Sequence, residues 1–109
     1  MYGQFFGTVI TQVVTDAISQ GMAVGLNGAL PSAGEAILGV AIVALDDNEA
    51  GAVCTNGVVY ALAGGSFSAK GALKVDGAGK FIDQGGSGVI VGYALEAGSA
   101  DKLVRVKLF

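Results

Sequence analysis

An all-β fold, a small single-domain barrel or sandwich of short strands, is predicted by three features of the sequence. Apolar stretches recur every 8 to 14 residues, separated by Gly, Asn, Asp and Ser. Three Asn-Gly or Asp-Gly pairs, Asn27-Gly28, Asn56-Gly57 and Asp76-Gly77, supply the left-handed backbone that tight turns need. The third feature is composition: 19 glycines against 1 proline, 52% hydrophobic residues, no Trp and 7% aromatics leave a core of Ala, Val, Leu and Ile, which suits thin, closely packed sheets.

The elements follow in order. Thr8 to Val14 is nearly all β-branched and reads as the first strand. Phe5, Phe6, Val9, Ile10, Val13, Val14, Ala17 and Ile18 also recur as pairs every four residues, a helical stripe with Gly21 as its C-cap, so helix and strand compete here; the β-branched run favours strand and then a turn. Strands are expected next at Met22 to Leu26, Ala36 to Leu45, Ala52 to Thr55, Val58 to Leu62, Ala72 to Val75, Val89 to Leu95 and Lys102 to Leu108. In the last of these Val104, Val106 and Leu108 alternate with Arg105 and Lys107, the period-2 pattern of a half-exposed strand.

At 109 residues the chain has room for one domain. Residues 1–7 carry Tyr2, Phe5 and Phe6 between glycines and read as a flexible aromatic arm able to order on a partner, with residues 8–109 as the β domain; rings that cap the protein's own core are the alternative. Two similar halves, 21–55 and 71–107, are suggested by gap-free matches: Gly39-Val-Ala-Ile against Gly92-Tyr-Ala-Leu at an offset of 53, and Gly21 to Val24 against Gly71 to Val75 at about 50. Any two Gly-punctuated hairpins look alike, so chance similarity stays open beside duplication.

Charge and chemistry exclude more than they assign. Without histidine there is no Ser/His/Asp triad, no Cys/His dyad and no usual zinc site. The lone Cys54 has no disulfide partner and reads as a small buried hydrophobe. Residues 1–69 hold Asp16, Glu35, Asp46, Asp47 and Glu49 with no Lys or Arg, a charge of −5, whereas 70–109 hold six cations against Asp76, Asp83, Glu96 and Asp101, a charge of +2. No basic cluster favours nucleic acid, although the split allows head-to-tail complementarity between copies.

Gly64-Gly65, Gly77-Ala-Gly79-Lys80 and Gly85-Gly86-Ser87-Gly88 lack the spacing of a phosphate-binding loop. Asp46-Asp47-x-Glu49 lacks the ligand series of a calcium loop. Glu35 and Asp83 are not placed by sequence at general acid and base distance. No catalytic residue, cofactor or metal is therefore expected. The apolar run Ala36 to Leu45 is about half of a bilayer span, and no export signal is expected at the N-terminus. A mean hydropathy of +0.64 with so few charges favours surface buried against partners.

One ordered series of motifs resembles a known family. Gly21 to Gly28, Leu38 to Ala41, the acidic turn Asp46 to Gly51, Asn56-Gly57, Val59 to Leu62, Lys70 to Lys80, Gly88 to Glu96 and Val104 to Leu108 together are similar to the small bacteriophage capsid decoration, or cement, proteins, over roughly residues 15–109. The resemblance implies a compact β-barrel or sandwich, a homotrimer made in the host cytoplasm. It would sit on the outer surface of an icosahedral head and clamp neighbouring major capsid protein subunits. The aromatic start, Tyr2, Phe5 and Phe6, departs from the pattern and supplies the candidate partner-binding residues. A carbohydrate- or receptor-binding β-module on a virion surface is the alternative; the absence of Trp and the presence of only Tyr2, Tyr60 and Tyr93 weigh against it.

Overall fold

A computed structural model describes residues 5–108. Ten strands run in chain order: β1 Phe5–Phe6, β2 Val9–Val13, β3 Ala23–Gly25, β4 Ile37–Ala41, β5 Ala50–Cys54, β6 Gly57–Leu62, β7 Ala72–Val75, β8 Phe81–Asp83, β9 Gly92–Ala94 and β10 Leu103–Leu108. No helix forms among the described residues. Sheet A has the order β1-β6-β10-β9-β7-β8, and sheet B the order β2-β5-β4-β3; every strand pairing is antiparallel. A single parallel bridge from Ala63 to Phe81 links the far strands of sheet A, but no ladder extends from it, and the architecture is sandwich-like.

The contest between helix and strand at residues 8–18 is decided for strand. β2 occupies Val9–Val13, after which Val14 and Ile18, both buried, tuck beneath sheet B instead of continuing a helical stripe. Ile10, Val14 and Ile18, one member of each of three pairs, share one core, whereas Val9 and Val13 are exposed. Asp76-Gly77 opens a hairpin between β7 and β8, as its residues predict. The other two pairs do different work: Asn27-Gly28 lies in the long β3–β4 connection, and Asn56-Gly57 carries the chain from β5 in one sheet to β6 in the other. Asn56 fixes this crossing, since its side-chain oxygen accepts from Thr8 N–H at 2.7 Å and its carbonyl from Gly7 N–H at 3.0 Å.

Hydrogen-bond registers recur along the chain. β2 pairs with β5 as β6 pairs with β10: Val9 opposite Cys54 becomes Val58 opposite Lys107, and Val13 opposite Ala50 becomes Leu62 opposite Leu103. β3 and β4 match β7 and β9 in the same way, with Ala23 opposite Val40 and Ala72 opposite Tyr93. The loops agree too. Val14 N–H donates to Glu49 and Asn48 N–H to Val14, just as Ala63 N–H donates to Lys102 and Asp101 N–H to Ala63. Asn48 and Asp101 each hold φ at 64°. The equivalence therefore begins at β2 and β6, ahead of the boundaries suggested by sequence, and places Lys70, not Gly71, opposite Gly21. β8 has no counterpart strand in the first set.

Two cores result. Between the sheets, Ala23, Val40 and Cys54 of sheet B meet Val59, Ala61, Leu73, Val75, Phe81, Val104 and Val106 of sheet A. Beneath sheet B, Val24, Ala41 and Val53 pack with Val14, Ile18 and Leu45 from the loops. β3, β4 and the end of β5 in sheet B are thus covered on both faces, whereas Val9, Thr11 and Val13 of its border strand β2 are exposed and the outer face of sheet A is left to solvent.

Candidate interaction surface

The open face of sheet A follows from the period-2 pattern of β10. Val104, Val106 and Leu108 point inward and are buried, so Leu103, Arg105 and Lys107 must point out. Register then assembles the face around them: Leu62, Tyr60 and Val58 lie opposite Leu103, Arg105 and Lys107 on one side, and Tyr93 lies opposite Lys107 on the other, with Ala72 beyond it. Tyr93 and Leu103 are 39% and 43% exposed, large values for apolar side chains in mid-sheet. Arg105 is oriented by Glu96, whose carboxylate accepts from the Arg105 N–H at 3.0 Å and lies 3.8 Å from its guanidinium. The face mixes aromatic and aliphatic surface with cations, a composition that suits protein contact.

An acidic loop lies elsewhere. Asp46, Asp47 and Glu49 sit on the exposed β4–β5 connection, where Glu49 accepts from Asp46 N–H at 2.9 Å and so acts as a turn brace. Among the described residues no group of three His, Cys, Asp or Glu side chains is placed to hold a metal ion. This loop is tied to the end of β2, because Val14 N–H donates to the Glu49 carbonyl and the Val14 carbonyl accepts from Asn48 N–H. Arg105 and Lys107 thus lie on sheet A's outer face, and Asp46, Asp47 and Glu49 lie beside the end of β2 in sheet B.

Cys54 is fully buried between the sheets, its thiol donating to the Asn56 carbonyl at 2.8 Å, and burial pushes its pKa up, away from the reactive thiolate. Lys80 is held protonated above its ordinary range by the hydrogen bond and charge of Asp101, 2.7 Å away. A shallow cleft of about 140 Å³ lies between the start of β4 and residues 89–91, lined by Ile37, Leu38, Thr55, Val91 and Leu108 without an ionisable side chain.

The sequence-predicted site residues fall at or beyond the described margin. Tyr2 lies outside the described residues; Phe5 and Phe6 form β1, whose backbone pairs with Val58 and Gly57 at the border of sheet A. Sequence reasoning missed the outer face of sheet A. Alternation in β10 signalled one row of it, but the neighbouring Tyr60 and Tyr93 rows become visible only once register is known.

A family model described as phage cement protein matches residues 6–108. The chain belongs to the phage cement protein family. Among solved structures, the head fiber gp8.5 N base of bacteriophage phi29 shares the fold at a TM-score of 0.77 and 14% identity, over 94% of this chain and 93% of that one. A search of curated proteins finds no match. This cement-family protein is a structural, capsid-associated component of the virion and not an enzyme.

Proposed function

We propose that this cement-family protein decorates the outside of an icosahedral phage head and stabilises it by bridging major capsid protein subunits, as a homotrimer made in the host cytoplasm. The observation that carries the reading is the family match across residues 6–108. The surface supports it. A bridging protein needs two separate contact regions, and the cationic, partly apolar outer face of sheet A and the acid-flanked edge of sheet B are two such regions on one rigid sandwich. Residues 8–109 act as the body, and Tyr2, Phe5 and Phe6 of the arm add apolar contact to the capsid.

Cementing requires no bond chemistry. A protein that binds the assembled shell and not its dissociated subunits stabilises the shell by mass action, and a trimer that engages several subunits at once is released slowly. The cyclic arrangement also removes apolar surface from water for a chain with few charges.

The test is to heat or osmotically shock heads with and without saturating protein while DNA release is followed. Release at higher temperature from decorated heads supports cementing. Identical curves at full occupancy reject it and leave a display or surface-adhesion role on the capsid. Sedimentation that finds only monomer, alone and on heads, rejects the trimer.

A further inference from the structure

We propose that the open edge of β2 accepts an extended strand of the major capsid protein, added antiparallel to sheet B, with basic residues flanking that strand beside Asp46, Asp47 and Glu49. The inference rests on the cementing role for the partner's identity and on the following geometry for the site.

Backbone groups alternate in direction along an antiparallel strand. Thr8 carbonyl accepts from Thr55 N–H, and Val14 N–H donates to Glu49 carbonyl, so the even-numbered residues of this segment face β5. Val9, Thr11 and Val13 therefore direct their N–H and C=O groups away from the sheet. Ala52, opposite Thr11, confirms the phase by turning its carbonyl to Ile42 N–H, just past the end of β4. At the Val13 end the carbonyl is taken by the Gln12 side-chain amide at 2.9 Å and Gly28 of the β3–β4 connection lies against it, so the open stretch among the described residues centres on Val9 and Thr11.

The same edge is closed in the second set of strands. On β6, the equivalent of β2, Phe5 and Phe6 add a short antiparallel strand at Val58 and Gly57, and the Gly21 carbonyl accepts from Leu62 N–H at 2.8 Å. The fold thus contains its own example of strand addition at this position, with β2 as the unfilled copy. The remaining borders are short or guarded. β1 has two residues; β8 has three, ends in Asp83 and gives its Phe81 carbonyl to Gly64; β3 is fully buried, bulged and bonded through Ala23 N–H to Gly79. β2 has five residues, carries Val9 and Val13 at 42% and 53% exposure, and lacks the Lys, Pro or inward charge that normally protects a free edge.

Charge selects the occupant. The acidic loop beside the Val13 end favours a strand flanked by Lys or Arg, and residues 1–69 contain neither, so β1, β2 and β3 of a second copy offer no complement. β8 of a second copy brings Lys80, but that cation already pairs with Asp101, and Asp83 ends the strand. A basic-flanked segment of another virion protein fits, and cementing makes that protein the major capsid protein.

Hydrogen exchange on the intact protein, free and bound to undecorated heads, tests this directly, together with the variant Thr11→Pro. Pro removes an outward N–H without breaking a bond to β5, so the thermal transition should persist while head affinity falls about tenfold, as expected for a lost hydrogen bond and a steric block. Thr11→Lys supplies the same test by charge if the Pro variant fails to fold. In bound wild type the amides of residues 9 and 11 should become protected. Binding without protection of these amides overturns the edge proposal and leaves cementing intact. Protection that rises with protein concentration in the absence of heads assigns the edge to a second copy and overturns the capsid strand. Failure of wild type to bind heads at all overturns both.

Discussion

Gly39 and Gly92 hold the same place in two equivalent hairpins, β4–β5 and β9–β10, each with its α-carbon pressed against the neighbouring strand's backbone. A Cβ at Gly39 would lie 2.2 Å from the Cys54 carbonyl oxygen, and one at Gly92 would lie 2.5 Å from that of Lys107, the residue equivalent to Cys54. Neither contact can be relieved by rotating a side chain. Gly39→Ala and Gly92→Ala should each cost about 1–3 kcal/mol, the range for forced overpacking. Gly77→Ala, with nothing within 4 Å of the added carbon and no positive φ, should be neutral or slightly stabilising. Urea unfolding of the three variants checks this; equal midpoints for Gly39→Ala and Gly77→Ala would refute it.

How far the sequence could be read follows from what each signal encodes. The β-branched run at residues 8–14, the alternation of Val104, Val106 and Leu108, and the recurring apolar stretches are local, and each marks a strand that forms. β8 went unrecognised because Phe81-Ile82-Asp83 is too short for a periodic signal and exists through its pairing with β7. The difference between Val40 with Cys54, buried between sheets, and Tyr93 with Lys107, on the open face, shows the limit of a repeat read from sequence. Equivalent backbone positions can face a core or solvent, and only the stacking of sheets decides which. The contact surfaces depend on register, which no local pattern encodes.

The β7–β8 hairpin separates a structural carboxylate from a decorative ion pair. Asp76 Oδ1 accepts from the Ala78 and Lys80 N–H groups, both at 2.9 Å, and so satisfies the turn. Asp76→Ala should cost about 1 kcal/mol in chemical unfolding, the worth of a typical lost hydrogen bond. Lys80→Met removes only the pair with the exposed Asp101 and should leave the melting temperature unchanged at physiological salt. A larger effect from the Lys80 variant would reverse this ranking.

Alkaline pH should destabilise the protein partly through Cys54. Its thiol is raised above the ordinary 9.0 by burial, so the unfolded chain loses its proton first while the folded state retains it. Stability is then whole below about pH 9 and declines as pH rises toward the folded value. Melting curves from pH 7 to 11 should fall less steeply for Cys54→Ser, which keeps a donor for the Asn56 carbonyl and removes the titration. An unchanged alkaline slope in that variant would assign the decline elsewhere.

Deleting residues 1–6 removes β1 but leaves Gly7 bonded to Asn56 and Thr8 bonded to the Asn56 side chain. The melting temperature should drop only slightly, because two backbone pairs at a border are lost and the core strands are not. Head binding should weaken through loss of Tyr2, Phe5 and Phe6. Cooperative unfolding at room temperature in the truncated protein would make the segment part of the core and overturn its assignment as a partner-contacting arm.

The outer face of sheet A gives a prediction separable from both the arm and the β2 edge. Lys107 and Tyr93 lie opposite each other on exposed positions of β10 and β9, so Lys107→Glu and Tyr93→Ala should leave the thermal transition nearly intact. If this face meets acidic capsid surface, the charge reversal should weaken head binding chiefly at low salt, where screening is least, and flatten the dependence of affinity on ionic strength. Tyr93→Ala should weaken it at all salt concentrations, because the loss is one of apolar contact. Binding isotherms on heads between 50 mM and about 500 mM salt, a range over which the Debye length falls severalfold below its low-salt value, separate the two patterns. If both variants bind like wild type at every concentration, sheet A's outer face looks away from the capsid, and the β2 edge and the arm must carry the attachment.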